Sequence, residues 1–446
     1  MNYPLISEYI EAIKSAEDNF GELSYLRPVL SDDGLPLMTS GNFAVVFKLK
    51  DEQSGKYYAV KCFTKEQEGR SDAYCQIAEE LEDVSSPYLV SIRYLEKELF
   101  VDTGQTTETE FPVLLMDWVE GKTLEKYLRE NLDDKYALEM LAYRFSQLAQ
   151  WLIPQPFAHG DLKPDNILVR ENGTLVLVDY DGMYVPTMKG QKARELGSPD
   201  FRHPQRTEDD FDEHIDDFSL VSILLSLKAI SLNPQLIIDS DNSELLMSRN
   251  DYFAISRCTI LKELLSYENT ELNTLIGMFL VCLSNMSLNL NIQIKEPINQ
   301  IVFERRHEIL SNLWLDIDLH DLCVDNEGAI YSKDFKCLFI CPNVKEYIVK
   351  NGTETIWEEA FGNCSKLELI ILPESIKDIK YTAFYRTYSY TEKKSSNLYT
   401  MHQGYEFGCP NLCTIAMPYG QSQKFRLPQN IRSLIVEVPL EKKTRE

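Results

Sequence analysis

Five residues that could do chemistry together stand in one stretch of the chain: Asp161, Lys163, Asn166, Asp179 and Asp181. Three carboxylates, an amide and an ammonium make a frame for divalent metal and phosphate. Carboxylates brought this close repel unless a cation lies between them. The elements that must position them are short. Ile167 to Val169 and Leu175 to Val178 are apolar, β-branched runs separated by Glu171-Asn172-Gly173, which predicts a hairpin of two buried strands. Asp161, Lys163 and Asn166 fall just before the first strand, and Asp179 and Asp181 just after the second.

The full string, His159-Gly160-Asp161-Leu162-Lys163-Pro164-Asp165-Asn166 and then Asp179-Tyr180-Asp181-Gly182, resembles the catalytic core of the protein kinases. The signature there is His-Arg-Asp-Leu-x-x-x-x-Asn followed by Asp-Phe-Gly. The resemblance implies that Asp161 orients an acceptor hydroxyl and takes its proton and that Lys163 steadies the γ-phosphate. Asn166 and Asp179 would hold Mg²⁺, with Asp181 beside them as a further metal ligand. Gly160 replaces the arginine that reads a phosphorylated activation loop, so switching by loop phosphorylation is not expected. Asp181 stands at the glycine position of Asp-Phe-Gly. His-Gly-Asp and a doubled acid also occur in aminoglycoside and choline phosphotransferases, small-molecule relatives of the same fold.

Other segments match in the expected order. Thr39-Ser40-Gly41-Asn42-Phe43-Ala44-Val45-Val46 resembles the Gly-rich loop of kinases, with only the middle glycine kept, as Gly41. Ala59-Val60-Lys61 resembles the strand whose lysine binds the α- and β-phosphates. Asp72 to Val84 reads as a helix, and in kinases that helix offers a glutamate to the lysine. The usual spacing falls on Ile77, so Glu79, Glu80 and Glu82 are the candidates and Glu80 is the choice. Strands are expected at Tyr88 to Tyr94 and Phe111 to Met116. Met116-Asp117-Trp118-Val119-Glu120-Gly121 resembles the hinge that meets adenine. The ATP-binding set is thus Gly41, Ala59, Lys61, Glu80, Met116, Asp117 and Val119. Lys122 to Asn131 and Asp134 to Ile153 are predicted helices. Gly197-Ser198-Pro199 to Gln205 resembles the end of an activation segment, and Asp216 opens a helix and would brace the catalytic turn. Helices near 258–268 and 270–285 would complete this part. The run from about Tyr9 to Leu283 also resembles a bacterial protein-kinase-like family in strings such as Ser40 to Ala44 and Asp179 to Met183.

The chain has 446 residues, enough for two to three domains, and 44% hydrophobic residues, enough for real cores. A formal net charge of −25 repels polyanions and argues against nucleic acid as a partner. No apolar run approaches a membrane span, and charges break up Met1 to Phe20, so neither membrane nor signal peptide is expected. Ten cysteines without metal-ligand spacing read as buried small hydrophobes in a reducing cytoplasm. Residues 4 to 20 have helix-like apolar spacing and should pack on the domain that follows.

Past Pro297 the pattern changes. Residues 301–320 read as a connecting helix. Thr355-Ile356-x-x-x-Ala360-Phe361 then recurs as Asp378-Ile379-x-x-x-Ala383-Phe384, and Leu367-x-x-Ile370-x-x-Pro373 as Leu412-x-x-Ile415-x-x-Pro418 after an insertion near 387–404. This resembles the BspA-type leucine-rich repeats, which stack into a solenoid.

The expected fold class is α+β: a bilobal protein-kinase-like fold with a small C-terminal β-rich leucine-rich-repeat solenoid. The expected segments are an N-terminal helical extension at 1–30, lobes at 31–116 and 117–300, a connecting helix at 301–325 and repeats at 326–446. The expected function is ATP- and Mg²⁺-dependent phosphoryl transfer to Ser/Thr of a protein, with the repeats binding a partner or substrate. The alternatives are a pseudokinase scaffold and a small-molecule phosphotransferase.

Overall fold

The computed structural model describes residues 2–41, 43–67, 69–238, 245–285, 292–306, 309, 317–395 and 398–439, with side chains omitted at 388–403. Asn42, most of 307–316 and part of the repeat insertion lie outside the described residues. The chain forms two compact units, Met1–Glu296 and Pro297–Glu446.

Unit 1 begins with helices α1 (Ile6–Lys14) and α2 (Ala16–Asn19). A six-stranded sheet follows, made of β1 (Leu26–Pro28), β2 (Met38–Ser40), β3 (Ala44–Asp51), β4 (Tyr57–Phe63), β5 (Ile92–Phe100) and β6 (Glu110–Asp117). Its order is β1-β3-β4-β6-β5, with β2 paired to β3. Period-two alternation gives the sheet two apolar faces. One face, with Val45, Phe47, Val60 and Val113, takes Tyr9, Ala12, Ile13, Ala16 and Phe20 of the lead-in helices, as their spacing predicts. The other includes Ala44, Ala59, Phe63, Leu114 and Met116. It packs with helix α3 (Arg70–Glu82) into the core shared with the rest of the unit.

That remainder holds α4 (Leu124–Glu130), α5 (Lys135–Leu152) and α6 (Asp217–Leu232), and a small sheet of β7 (Lys122–Thr123), β8 (Ile167–Val169) and β9 (Leu175–Leu177). Helix α6 is buried almost all round, as its continuous apolar run requires. The β8–β9 hairpin forms as predicted, in the register Ile167↔Leu177. Strand β5 starts four residues later than expected, at Ile92.

Unit 2 contains two sheets of parallel strands. In one, β10 (Leu322–Val324) and β11 (Ile330–Ser332) lead antiparallel into β12 (Cys337–Ile340), which pairs parallel with β14 (Thr355–Ile356) and that with β16 (Asp378–Ile379). In the other, β13 (Glu346–Ile348), β15 (Leu369–Ile371), β19 (Thr414–Pro418) and β20 (Ile435–Val438) run parallel. The repeat read from the sequence is the pairing register: Ile356 faces Ile379, and Ile370 faces Ile415. The insertion forms a hairpin of β17 (Tyr385–Ser395) and β18 (Leu398–Phe407).

Two expectations need correction. Among the described residues of 301–325, α-helix extends only over Gln300–Glu304, with Ile309 helical beyond it. Val302 and Ile309 cluster with Leu322, Ile330, Phe339 and Ile340, so this segment begins unit 2 and has a core partner of its own. The cysteines are free, but two are exposed: Cys75, on the outward side of α3, and Cys413, in the loop before β19.

Candidate active site

The turn that carries Asp161 is held from beneath by Asp216, at the start of α6. The amides of His159 and Gly160 both donate to its carboxylate, the second at 2.9 Å. Asp216 is buried, and burial raises its pKa against those two bonds. The His159 ring donates from Nε2 to the Val178 carbonyl at 2.9 Å, tying the turn to the end of β9. Gly160 has φ +81°, and a Cβ there would lie 1.9 Å from the Gly182 carbonyl oxygen. The position therefore demands glycine, and no arginine fits it. The charge comes from elsewhere: buried Arg206 donates to the Gly160 carbonyl at 2.8 Å.

Asp161 is fixed on every side. Its Oδ1 accepts from the Ser198 amide at 2.6 Å, and its Oδ2 lies 3.1 Å from Lys163 Nζ and 3.2 Å from Asn166 Nδ2. Asn166 Nδ2 also donates to the Asp161 carbonyl at 2.9 Å, which leaves the amide oxygen of Asn166 available as a hard donor. Burial alone would lower the Lys163 pKa, but Asp161 beside it holds it raised.

Across the hairpin, Asp179 sits at φ +67°, in the left-handed region that a non-glycine residue enters at a cost of about 1–3 kcal/mol. What over-determines it is Tyr180. That ring is buried, its hydroxyl donates to the Leu177 carbonyl at 3.1 Å, and the Val90 amide donates to it at 2.9 Å. With Tyr180 pinned inward, Asp179 and Asp181 both turn to Lys61, each with Oδ1 at 2.7 Å from Nζ. Burial alone would lower the Lys61 pKa, and the two carboxylates overcome it and raise it. Asp179 is likewise held low by Lys61 against its own desolvation.

The expected glutamate is absent from this group. Lys61 is held by Asp179, Asp181 and the Tyr74 hydroxyl at 3.5 Å, and Glu80 makes no bond to it. The face of α3 that meets Lys61 is set by Tyr74, which packs at 5.9 Å on both Phe63 and Tyr94. Glu80 lies six residues on, about 240° around the helix, and Ile77 is fully buried on the inner face. Sequence reasoning missed Tyr74, whose only signal is its place one turn before Ile77.

The remaining candidates lie on or beside the large sheet, Gly41 near the end where Ala44 meets Phe63 and Asp117 at the other, opposite Tyr58. Gly41 donates its amide to the Ala44 carbonyl at 2.8 Å and closes the β2–β3 turn. Ala59 and Met116 face each other across β4 and β6, both buried. Asp117 pairs with Lys56 at 2.7 Å. Val119 is buried, and its backbone N–H and C=O have no backbone partner among the described residues.

Two carboxylates, Asp179 and Asp181, and the Asn166 amide are a donor set that suits a hard divalent cation. In the arrangement seen, the carboxylates are turned to Lys61, and among the described residues no group of three His, Cys, Asp or Glu side chains is gathered for a metal. No helix among the described residues is long and apolar enough to cross a membrane.

The fold and the arrangement of these residues resemble those of the protein kinases, and comparison with known proteins agrees. The protein kinase domain model matches residues 35–283, and the BspA type leucine rich repeat region matches 329–433 in six copies. The chain therefore belongs to the protein kinase family, with leucine-rich repeats following the kinase domain. It is 26% identical to the serine/threonine-protein kinase sgk-1 of Caenorhabditis elegans over 208 residues, 44% of this chain and 42% of that protein. It is 25% identical to an Aurora kinase of Yarrowia lipolytica over 182 residues, 40% of this chain and 47% of that one. It is 31% identical to the serine/threonine-protein kinase Sgk3 of Rattus norvegicus over 153 residues, 33% and 29% respectively. The chain thus spans less than half the length of each of these relatives.

Proposed function

We propose that this chain transfers the γ-phosphoryl group of ATP to a serine or threonine hydroxyl of a protein. The observation that carries the reading is the fixed Asp161–Lys163–Asn166 cluster facing the Lys61–Asp179 pair across one hairpin. Asp161 orients the acceptor hydroxyl and takes its proton, since its carboxylate is already immobilised by the Ser198 amide. Lys163 steadies the transferred group, and Lys61 holds the inner phosphates. Gly41, Ala59, Met116, Asp117 and Val119 line the nucleotide's place, with Val119 offering a free amide and carbonyl to adenine. Asn166 and Asp179 would hold Mg²⁺, which supplies neutralisation of charge on the phosphate oxygens, while Asp181 stays on Lys61. Catalysis of this kind is positioning and electrostatic stabilisation.

The parallel strands of unit 2 support a short solenoid that binds a protein partner or substrate. The test is transfer from γ-labelled ATP by the native chain, Asp161→Asn and Asp179→Asn. Loss of about 10²–10⁴-fold in Asp161→Asn, with its thermal stability retained, supports the assignment. A second reading, a nucleotide-binding scaffold, draws on the double occupation of Lys61 by carboxylates. It wins if the native chain binds Mg·ATP and transfers nothing. Transfer to an aminoglycoside or choline-like alcohol but to no protein would instead establish the small-molecule alternative.

A further inference from the structure

We propose that Asp181 is the positioning residue for Lys61, doing from the Asp-Tyr-Asp turn what a glutamate of the neighbouring helix does in the kinases this chain resembles. The inference rests on the reading that Lys61 binds nucleotide phosphates.

Lys61 is 5% exposed, and a buried ammonium has to be matched by a carboxylate. Helix α3 supplies none: its inner face presents Tyr74 and Ile77, while Glu79 and Glu82 are exposed and Glu80 faces away. Two carboxylates reach Lys61 from the other side, and they are not equivalent. The Asp179 side chain is 44% exposed, open to exchange partners. The Asp181 side chain is 15% exposed and also accepts the Tyr74 hydroxyl. Tyr74 is itself stacked on Tyr94, with the rings 4° from parallel, so Asp181, Tyr74 and Lys61 form one braced triangle. When Asp179 turns to a metal, Asp181 keeps the buried ammonium compensated and in place.

The backbone is adapted to this use. The carboxylate occupies the position of the glycine in Asp-Phe-Gly, and the next residue, Gly182, puts its carbonyl oxygen where a Cβ on Gly160 would stand 1.9 Å away. Holding Lys61 this way makes its position independent of any carboxylate on α3. A swing of that helix, which would separate a lysine from a helix-borne glutamate, would leave the Lys61–Asp181 pair closed.

The test compares the native chain with Asp181→Asn, Asp181→Glu, Lys61→Met and the double variant Lys61→Met/Asp181→Asn. Transfer at saturating ATP is measured across a Mg²⁺ titration, and Mg·ATP affinity by calorimetry. Displacing a reacting group by about 1 Å can cost about 10²-fold, and a loss of that order is expected for Asp181→Asn. The Mg²⁺ midpoint should be unchanged, and Asp181→Glu should recover at least tenfold. In affinity, Asp181→Asn should add nothing to Lys61→Met. The proposal is overturned if extra Mg²⁺ restores Asp181→Asn, which would make Asp181 a metal ligand, or if the two substitutions add fully. Where the native chain binds Mg·ATP without transfer, the affinity cycle alone decides. Absence of nucleotide binding by the native chain overturns the underlying reading, and this inference with it.

Discussion

The two units of the chain bury different things. Among the described residues, unit 1 buries Lys61, Arg70, Glu98, Arg206, Asp216 and Asp217 along with His159 and Asn166. The buried polar side chains of unit 2 are Thr353 and Gln421, and its core is otherwise Ile, Leu, Phe, Tyr and Cys. Burying a charge costs several kcal/mol unless it is matched, so charge is retained in a core where something needs it. In unit 1 most of these groups bear on one turn: Asp216 and Arg206 hold Gly160, His159 holds Val178, and Lys61 takes the two aspartates. Unit 2 shows what a core looks like when its task is to stack similar layers. Phe361 lies on Phe384 at 5.0 Å and Ile370 on Ile415, one repeat above another.

Four substitutions test that contrast. The largest effect is expected at Gly160→Ala, where a Cβ overlaps the Gly182 carbonyl and φ is positive. Strain and overlap together should cost about 4 kcal/mol, read by denaturant unfolding, and should abolish transfer. An Ala variant of native stability would mean the turn is not fixed as described. Next is Phe361→Ala, which empties a fully buried stacked site in unit 2. A loss of about 3 kcal/mol in the unfolding of unit 2 is expected, with nucleotide affinity unaltered. If affinity falls as well, the division of labour between the units is wrong.

Tyr74→Phe is a finer probe, because it removes one hydroxyl that donates to the Asp181 carboxylate and leaves the stacked ring. A hydrogen bond to a charged group is worth about 1.5 kcal/mol, so a small fall in melting temperature should accompany a weaker hold on Lys61. The smallest effect concerns pH. Glu271 is half-buried; burial would raise its pKa, but Lys228 at 2.6 Å and the Lys295 amide lower it. A carboxylate depressed in the folded state contributes stability that is present above its unfolded value, about 4.3. That contribution is lost as the pH falls through the lower folded value. Glu271→Gln should therefore cost about 1 kcal/mol at pH 7 and progressively less as the pH falls below about 4.3. A pH-independent penalty would show that packing, and not the ion pair, is responsible.

Much of this was legible because it is local. The interval from Asp161 to Asn166 is covered by one short 3-10 turn and its flanks, so the spacing of the motif is also its geometry. The β8–β9 hairpin follows from two short apolar runs around a turn, helix α5 from apolar periodicity and helix α6 from a continuous apolar run. The repeats were visible because neighbouring layers use the same residues, although the two pairs of recurring strings cover fewer than the six copies matched. Glu80 was misplaced for a non-local reason. Which side of α3 faces Lys61 depends on Tyr74 packing against Phe63 and Tyr94, rings on the two strands that flank the helix and that only the folded sheet brings together. The connecting helix was drawn too far at its end, where Leu319–Asp321 is a 3-10 turn and Leu322–Val324 pairs as a strand with Ile330–Ser332.

By itself the sequence determined the family, the two-part organisation, the hairpin and the candidates for the reactive groups, since each is written in contiguous residue types and spacings. Only the tertiary structure decided which of those groups pair. Lys61 and Asp181 are 120 positions apart, and their meeting depends on Asp179 taking a positive φ and Tyr180 being buried beneath it. A buried charge takes whichever partner the packing brings within reach, and here packing brought an aspartate from the turn and an apolar face from the helix.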